Sequence, residues 1–98
     1  MSERDRLLAL AARQLAANRR QGVSAENGLR YDFVCPSVSH YPFQWFWDSC
    51  FHAIALTHID VRLAEQELRC LLQAARPDGF VPHIIFWERA AHRAALES

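Results

Sequence analysis

The chain has 98 residues, 51% of them hydrophobic, and its 11 basic side chains balance its 11 acidic ones. This length allows one domain with a modest core, and the hydrophobic fraction argues against intrinsic disorder. Because the net charge is zero and the scattered Arg residues form no basic face, the composition excludes nucleic acid as an expected partner.

The three cysteines, Cys35, Cys50 and Cys70, are an odd number in a chain without a Cys-rich framework. This argues against a disulfide-bonded secreted module. The segment from Met1 to Asp5 carries charges of both signs, unlike a signal peptide, and no apolar run approaches the ~20 residues needed to cross a bilayer. We therefore expect a cytoplasmic protein without a membrane partner.

An apolar stripe at helical spacing predicts a first helix from about Glu3 to Arg20, capped by Ser2 and ended by a left-handed Gly22. The stripe consists of Leu7, Leu8, Ala11, Ala12 and Leu15. No hydrophobic period persists from Ser24 to Gln44, so this stretch is predicted as a long loop with a turn at Asn27-Gly28. Long loops in compact proteins tend to be functional, and the aromatic and polar residues of this one fit the lining of a cleft.

Two further helices are predicted as a hairpin. One runs from Ser49 to about His58, begins with Asp48 as its N-cap and is apolar on nearly every side. The other runs from Val61 to about Ala75, begins with Asp60 as its N-cap and has a single apolar face. An inner helix that is buried on every side needs more protein around it than 98 residues supply. A hairpin of one inner and one outer helix is the repeat unit of a barrel of helical pairs, so the predicted fold class is all-α.

The segment after these helices contains a turn at Arg76–Phe80, in which Pro77 presets the first corner and Gly79 supplies a positive φ. Because Pro82 disfavours a helix start, the stretch from Val81 to Glu88 is predicted as an extended loop. Residues 89–98 are predicted to be weakly helical.

The stretch Tyr41–Ser49 is the richest in chemistry, with five aromatic residues in seven positions and one carboxylate, Asp48, at its end. A sugar ring stacks its C–H faces on aromatic side chains, while its hydroxyls need charged or amide hydrogen-bond partners. This composition therefore predicts a sugar-binding surface. A structural role remains open for each member, since Trp45 and Trp47 also fit a core and Asp48 also fits a helix cap.

A second stretch repeats this chemistry, since His83, Trp87 and Glu88 follow the turn at Arg76–Phe80. Asp48 and Glu88 are in principle an acid/base pair, although the sequence gives no distance between them. No cofactor or metal is expected, because Cys50 and His52 lie two positions apart on different helix faces and no Cys-x-x-Cys or His-Glu-x-x-His motif occurs. No signature supports a nucleophilic cysteine.

Two motifs together carry a family resemblance: Tyr-Pro-Phe-Gln-Trp-Phe-Trp-Asp-Ser at 41–49 and Asp-Gly-Phe-Val-Pro-His-Ile-Ile-Phe-Trp at 78–87, separated by one helical hairpin. This arrangement resembles glycoside hydrolase family 63, in particular its mannosylglycerate and glucosylglycerate hydrolase branch. The resemblance implies an (α/α)6 barrel, of which residues 1–98 would be a single incomplete domain forming the N-terminal part. It also implies a sugar subsite lined by Tyr41, Gln44, Trp45, Trp47, Asp48, His83 and Trp87.

The same resemblance implies an inverting glycosidase for a small glycoside, with a general-acid Asp and a general-base Glu far downstream of Ser98. We therefore expect no catalytic residue in this chain and no activity from it alone. Its expected partners are a small glycoside and the remainder of the barrel, or a second copy bound through exposed apolar helix faces. The alternative is a free-standing helical interaction module without enzymatic activity.

Overall fold

A computed structural model describes residues 2–88 of the chain. In order, the elements are α1 (Glu3–Ala17), β1 (Arg19–Val23), β2 (Arg30–Val34), β3 (Gln44–Trp45), α2 (Phe46–Leu56), α3 (Val61–Leu72) and β4 (Ile84–Ile85). The prediction of an all-α fold is therefore wrong, because the described chain forms two antiparallel sheets, β1-β2 and β3-β4. The helix predicted within residues 89–98 lies outside the described residues.

The β1-β2 hairpin replaces the end of the predicted first helix and the start of the predicted loop. Ser2 caps α1 as predicted, accepting a hydrogen bond from the Asp5 N–H, but the helix ends at Ala17. The two strands pair from Arg19 opposite Val34 to Val23 opposite Arg30. Gly28, with a φ of 72°, turns the chain between them. An Asn-Gly turn before an alternating strand favours a hairpin, and this hairpin takes up the residues predicted as the last turn of the helix.

Gly22 lies inside β1 and does not end the helix as predicted. It is absent from the residues with positive φ, which among the described residues are Gly28 and Gly79. Its lack of a side chain serves packing, because a Cβ there would lie 2.7 Å from Cζ of the Tyr31 ring on the paired strand. The close approach of backbone and ring therefore explains the glycine.

Helix α3 covers the edge of β2 that faces away from β1. Three side chains spaced three residues apart, two from α3 and one from its C-cap residue, bond backbone groups of alternate strand residues: Glu67 accepts from the Val34 N–H (2.8 Å), Cys70 accepts from the Asp32 N–H (3.4 Å) and Gln73 donates to the Arg30 carbonyl (2.9 Å). Polar helix side chains thus take the place of a further strand and protect this edge.

Helix α2 begins at Phe46, and the prediction of Asp48 as its N-cap is wrong. Trp45 occupies the N-cap position without a side-chain cap bond, because an indole has no hydrogen-bond acceptor, and its extended backbone pairs with Ile84 in the β3-β4 sheet. The Phe46 N–H donates instead to the His83 carbonyl at 2.9 Å. Asp48 is the third helical residue, where a carboxylate still favours the positive helix end.

One side of this helix is uncovered in the described chain, as expected for an apolar helix that needs more protein around it than 98 residues supply. Trp47, Phe51 and Ile54 are 66%, 55% and 61% exposed, and we call them the apolar face of α2.

The prediction of Asp60 as the N-cap of α3 is confirmed, since its Oδ1 accepts from the Arg62 N–H at 3.0 Å. Helix α3 ends at Leu72, and the predicted turn follows it, with a φ of 91° at Gly79.

The main core lies between the hairpin, α3 and the chain around β4. It is built from the buried side chains of Tyr31, Phe33, Cys35, Cys70, Leu71, Ile85 and Trp87. A smaller cluster joins Val34, Leu56 and Ala64, against which Leu15 packs from α1. Within the described residues, no helix has the length and apolar character that crossing a membrane requires.

Candidate functional site

The β3-β4 pairing brings the two predicted sugar-binding stretches together. Gln44 pairs with Ile85 and Trp45 with Ile84, so the end of the first stretch lies beside the second. The Trp45 and His83 rings meet edge to face, with centroids 5.9 Å apart and planes at 89°. The Trp45 ring also meets the Tyr41 ring, with centroids 6.1 Å apart and planes at 76°. We call Tyr41, Trp45 and His83 the aromatic row.

The aromatic row contains an unused hydrogen-bond donor. Within the described part of the chain, the buried Trp45 Nε1 has no hydrogen-bond partner. Tyr41 is 53% exposed, and the His83 side chain is also exposed. The aromatic row therefore combines two exposed rings, Tyr41 and His83, with a buried donor on Trp45.

Trp47 and Asp48 lie on the first turn of α2, directly after Trp45. The Trp47 ring is tilted at 57° against the Phe51 ring, with centroids 5.5 Å apart, so it belongs to the apolar face of α2. Asp48 is half-buried. The sequence thus places a further large ring, Trp47, and the Asp48 carboxylate directly after Trp45 in the chain, on a different element from the aromatic row.

Gln44 and Trp87 lie inside the protein, with exposures of 0% and 4%. The Trp87 indole Nε1–H donates to Gln44 Oε1 at 2.8 Å. The Gln44 amide nitrogen donates to Ser49 Oγ at 3.2 Å and to the Glu67 carbonyl at 3.3 Å. Because an indole nitrogen only donates, this contact fixes the orientation of the amide. Both side chains therefore use their polar groups internally.

Glu67 is a buried carboxylate that the sequence-based predictions overlooked. It is 2% exposed and accepts from the Ser49 hydroxyl at 3.0 Å and from the Val34 N–H at 2.8 and 3.1 Å. His52 Nδ1 lies 3.9 Å from its Oε1. The sequence spacing indicates this burial, because Glu67 lies three residues after Ala64 and four before Leu71, on the buried face of α3.

Glu88 holds the hairpin to the chain after β4. Arg20 donates to both of its carboxylate oxygens, and the Tyr31 hydroxyl donates to Oε2 at 2.8 Å. Burial by itself raises the pKa of Glu88, but the hydrogen bonds from Arg20 and Tyr31 outweigh it and lower that pKa below its ordinary value. Burial, with the Glu88 bond, raises the pKa of Tyr31 to about 12. A carboxyl with a lowered pKa is unsuited to be a general acid.

Metal ligation has no basis in the described residues. Across positions 2–88, no three His, Cys, Asp or Glu side chains gather closely enough to hold a metal ion. The three cysteines are free thiols, and burial raises the pKa of Cys35 and, to about 12, that of Cys70. Raised thiol pKa values are typical of unreactive structural cysteines.

Known proteins match the chain in sequence and in structure. The family profile of the mannosylglycerate hydrolase MGH1-like glycoside hydrolase domain matches residues 41–98. A mannosylglycerate hydrolase from Thermus thermophilus is 46% identical over 59 residues, which are 59% of this chain and 14% of that protein. A glucosylglycerate hydrolase from Mycolicibacterium hassiacum is 46% identical over 46 residues, which are 47% of this chain and 10% of that protein.

A solved structure agrees with these sequence matches. The crystal structure of the GH63 mannosylglycerate hydrolase from Thermus thermophilus in complex with Tris and D-glycerate superposes with a TM-score of 0.70 at 39% identity. The match covers 85% of this chain and 18% of that one. The chain thus spans less than a fifth of the length of the relatives it matches. Over the matched length, the chain belongs to the mannosylglycerate hydrolase MGH1-like family of glycoside hydrolases.

Proposed function

We propose that the chain forms part of the glycosyl-binding pocket of an inverting glycoside hydrolase for a small glycoside such as mannosylglycerate or glucosylglycerate. The observation that carries this proposal is the aromatic row. Two sequence-distant stretches meet there, and all three of its rings lie in the segment that matches the family. The activities for which the matching hydrolases are named supply the class of substrate.

The accessible side chains would contact the sugar. Trp45 and Tyr41 would stack on its C–H faces, with Trp47 at the neighbouring helix end. Asp48 would accept hydrogen bonds from sugar hydroxyls, and His83 would exchange them from the opposite stretch. We assign stacking to the rings and hydrogen bonding to Asp48 and His83 from the exposure of these side chains and from the half-burial of the Asp48 carboxylate.

Gln44 and Trp87 would serve the same pocket from beneath. Their polar groups are bonded to each other and to the protein interior, so their role in this proposal is to hold the backbone of β3 and of the chain after β4. That backbone carries Trp45 and His83, and small displacements of binding groups weaken recognition strongly.

The catalytic acid and base are not assigned to any residue of this chain in our proposal. An inverting mechanism needs one carboxylic acid to protonate the leaving oxygen and one carboxylate to activate water, ~6.5–9.5 Å apart across the ring. We propose that both come from the remainder of the domain, which packs on the apolar face of α2. Without that remainder, the same face would drive self-association.

Three free thiols fit a reducing, cytoplasmic location.

The test is a titration of the ¹⁵N-labelled full chain with mannosylglycerate, followed by the indole N–H signals in ¹H–¹⁵N spectra. We expect saturable shifts of the Trp45 and Trp47 signals. Trp45→Ala should weaken binding about tenfold, since a stacked ring contributes about 1–1.5 kcal/mol. Phe80→Ala is the matched control, because this ring is 53% exposed and stacks on Arg76 at 4.8 Å, outside the aromatic row. Absence of any indole shift, or equal weakening by both variants, would refute the proposal.

A further inference from the structure

The buried carboxylate of Glu67 is connected through Ser49 and Gln44 to the buried Trp87 indole by an unbroken path of hydrogen bonds. Its Oε1 accepts from the Ser49 hydroxyl at 3.0 Å, and Ser49 Oγ accepts from the Gln44 amide at 3.2 Å. The other end of the Gln44 side chain accepts from the Trp87 indole at 2.8 Å. The path therefore joins α3 to α2, to β3 and to the chain that follows β4.

The direction of each bond in this path is determined by chemistry. The Trp87 indole only donates, so Gln44 presents its oxygen to it and its amide nitrogen to Ser49. The Ser49 hydroxyl has one proton, and it accepts from Gln44, so that proton goes to Glu67. The Glu67 carboxyl oxygen Oε1 is the acceptor that completes this order. Reversing any one bond would leave a buried donor facing a donor.

We propose that Glu67 is a positioning residue for the aromatic row. Through Ser49 and Gln44 it fixes the junction of β3 and α2, which carries Trp45, and through Trp87 it fixes the strand pairing that holds His83 against that ring. Its consequence for sugar affinity rests on the proposed function, whereas its effect on ring positions does not. Glu67 itself contacts no substrate, since it is 2% exposed.

Glu67 has a second role that must be separated from this one, because it also covers the edge of β2 through the Val34 N–H. A variant of Glu67 alone would disturb both. Ser49→Ala separates them, because it removes the hydroxyl that links the Glu67 carboxylate to Gln44, while the Val34 contact and the Gln44 bond to the Glu67 carbonyl remain. Ser49 is itself 0% exposed, so the change affects no surface group.

The experiment compares the ¹H–¹⁵N indole signals of the full chain with those of Ser49→Ala, Glu67→Gln and the control Glu65→Gln. Glu65 is exposed on the same helix, two positions away. We expect the Trp45 and Trp87 signals to move in Ser49→Ala and Glu67→Gln and to stay unchanged in Glu65→Gln. Affinity for mannosylglycerate should fall about fivefold to tenfold in the same two variants, as expected for one lost buried hydrogen bond.

Each result decides one of the two proposals. If Ser49→Ala remains folded and its Trp45 and Trp87 signals coincide with those of the unmodified chain, Glu67 serves only the edge of β2 and the positioning role is rejected. If the signals move but the unmodified chain binds no mannosylglycerate, the positioning role stands and the proposed function fails. Loss of folding in Glu67→Gln does not affect this test, because Ser49→Ala interrupts the path without touching Glu67.

Discussion

Replacing Gln44 by Met tests the buried polar path most directly, because Met fills a similar volume and has no hydrogen-bonding amide. Gln44 is 0% exposed and makes three side-chain hydrogen bonds, to Trp87, Ser49 and the Glu67 carbonyl. The substitution leaves the Trp87 indole N–H buried without an acceptor. Its main effect should therefore be on the free energy of unfolding.

The magnitude follows from counting the groups that lose a partner. A buried donor without an acceptor costs about 1–3 kcal/mol, and each of the other two bonds contributes about 0.5–1.5 kcal/mol. We expect Gln44→Met to lower the free energy of unfolding by about 3 kcal/mol. For a chain of this length that corresponds to a melting temperature lower by about 12–24 °C.

The assay is urea unfolding followed by circular dichroism, with Gln73→Met as the control. Gln73 is exposed and its side chain bonds the Arg30 carbonyl at 2.9 Å, so its loss should cost no more than about 1 kcal/mol. A double-mutant cycle with Trp87→Phe adds a second check. Removing both partners should cost about 1 kcal/mol less than the sum of the single changes, because neither then leaves an unpaired group.

The reasoning would be refuted by a Gln44→Met variant whose stability lies within about 0.5 kcal/mol of the unmodified chain, the range of ordinary surface substitutions. Strict additivity in the cycle with Trp87→Phe would be an equally clear contradiction. It would mean that the 2.8 Å contact contributes nothing to folding.

Three further predictions concern acid stability, packing and association. The pKa of Glu88 is lowered in the folded chain, so the stability that its ionised carboxylate contributes is fully present above the ordinary pKa of 4.5. That stability is lost as the pH falls through the lowered pKa of the folded chain. Glu88→Gln should therefore make the free energy of unfolding less dependent on pH in the acid range. Gly22→Ala should destabilise the hairpin by about 1–3 kcal/mol in thermal unfolding, since the Tyr31 ring must move away. Ile54→Glu should reduce self-association measured by analytical ultracentrifugation, because it charges the apolar face of α2.

The first two of these predictions have matched controls. Glu65→Gln changes an exposed carboxylate and should leave the acid transition in place. Gly28→Ala is the control for Gly22→Ala, because it is strained by its φ of 72° and not by a contact, since nothing lies within 4 Å of the added carbon. Adding Tyr31→Phe should therefore leave the destabilisation by Gly28→Ala unchanged. A chain that is monomeric before any substitution would contradict the association prediction.

The helices could be predicted from periodicity, but the hairpin required weighing a competing signal. The alternation of Arg30–Val34 and the Asn27-Gly28 turn were present in the sequence. Arg19 and Arg20, however, fit equally well as cations at a helix end, and no local rule distinguishes that from a strand. The strands β3 and β4 are two residues each and pair across about forty positions, which leaves no periodic pattern from which to predict them.

The candidate site was predictable as a set of residue types and not as an arrangement. The two aromatic stretches contain the residues of the aromatic row, yet Gln44 and Trp87 lie beneath it with their polar groups paired. Residue identity alone does not say which side of a two-residue strand faces inward. Glu67 is the opposite case, because its position on the buried stripe of α3 is a signal for an interior carboxylate that the sequence itself contains.

The way α3 covers β2 sets a limit on the length of the hairpin. Three helical residues advance about 4.5 Å along the helix axis, whereas two strand residues advance about 6.6 Å along the strand. At each successive helix-to-strand bond, the donor and acceptor positions are therefore displaced along the strand by about 2 Å more than at the bond before. Glu67, Cys70 and Gln73 span two such steps, and their side chains can absorb a mismatch of about 4 Å. A third step would exceed that reach. A helix can therefore substitute for a strand only along a short edge, and β2 is five residues long.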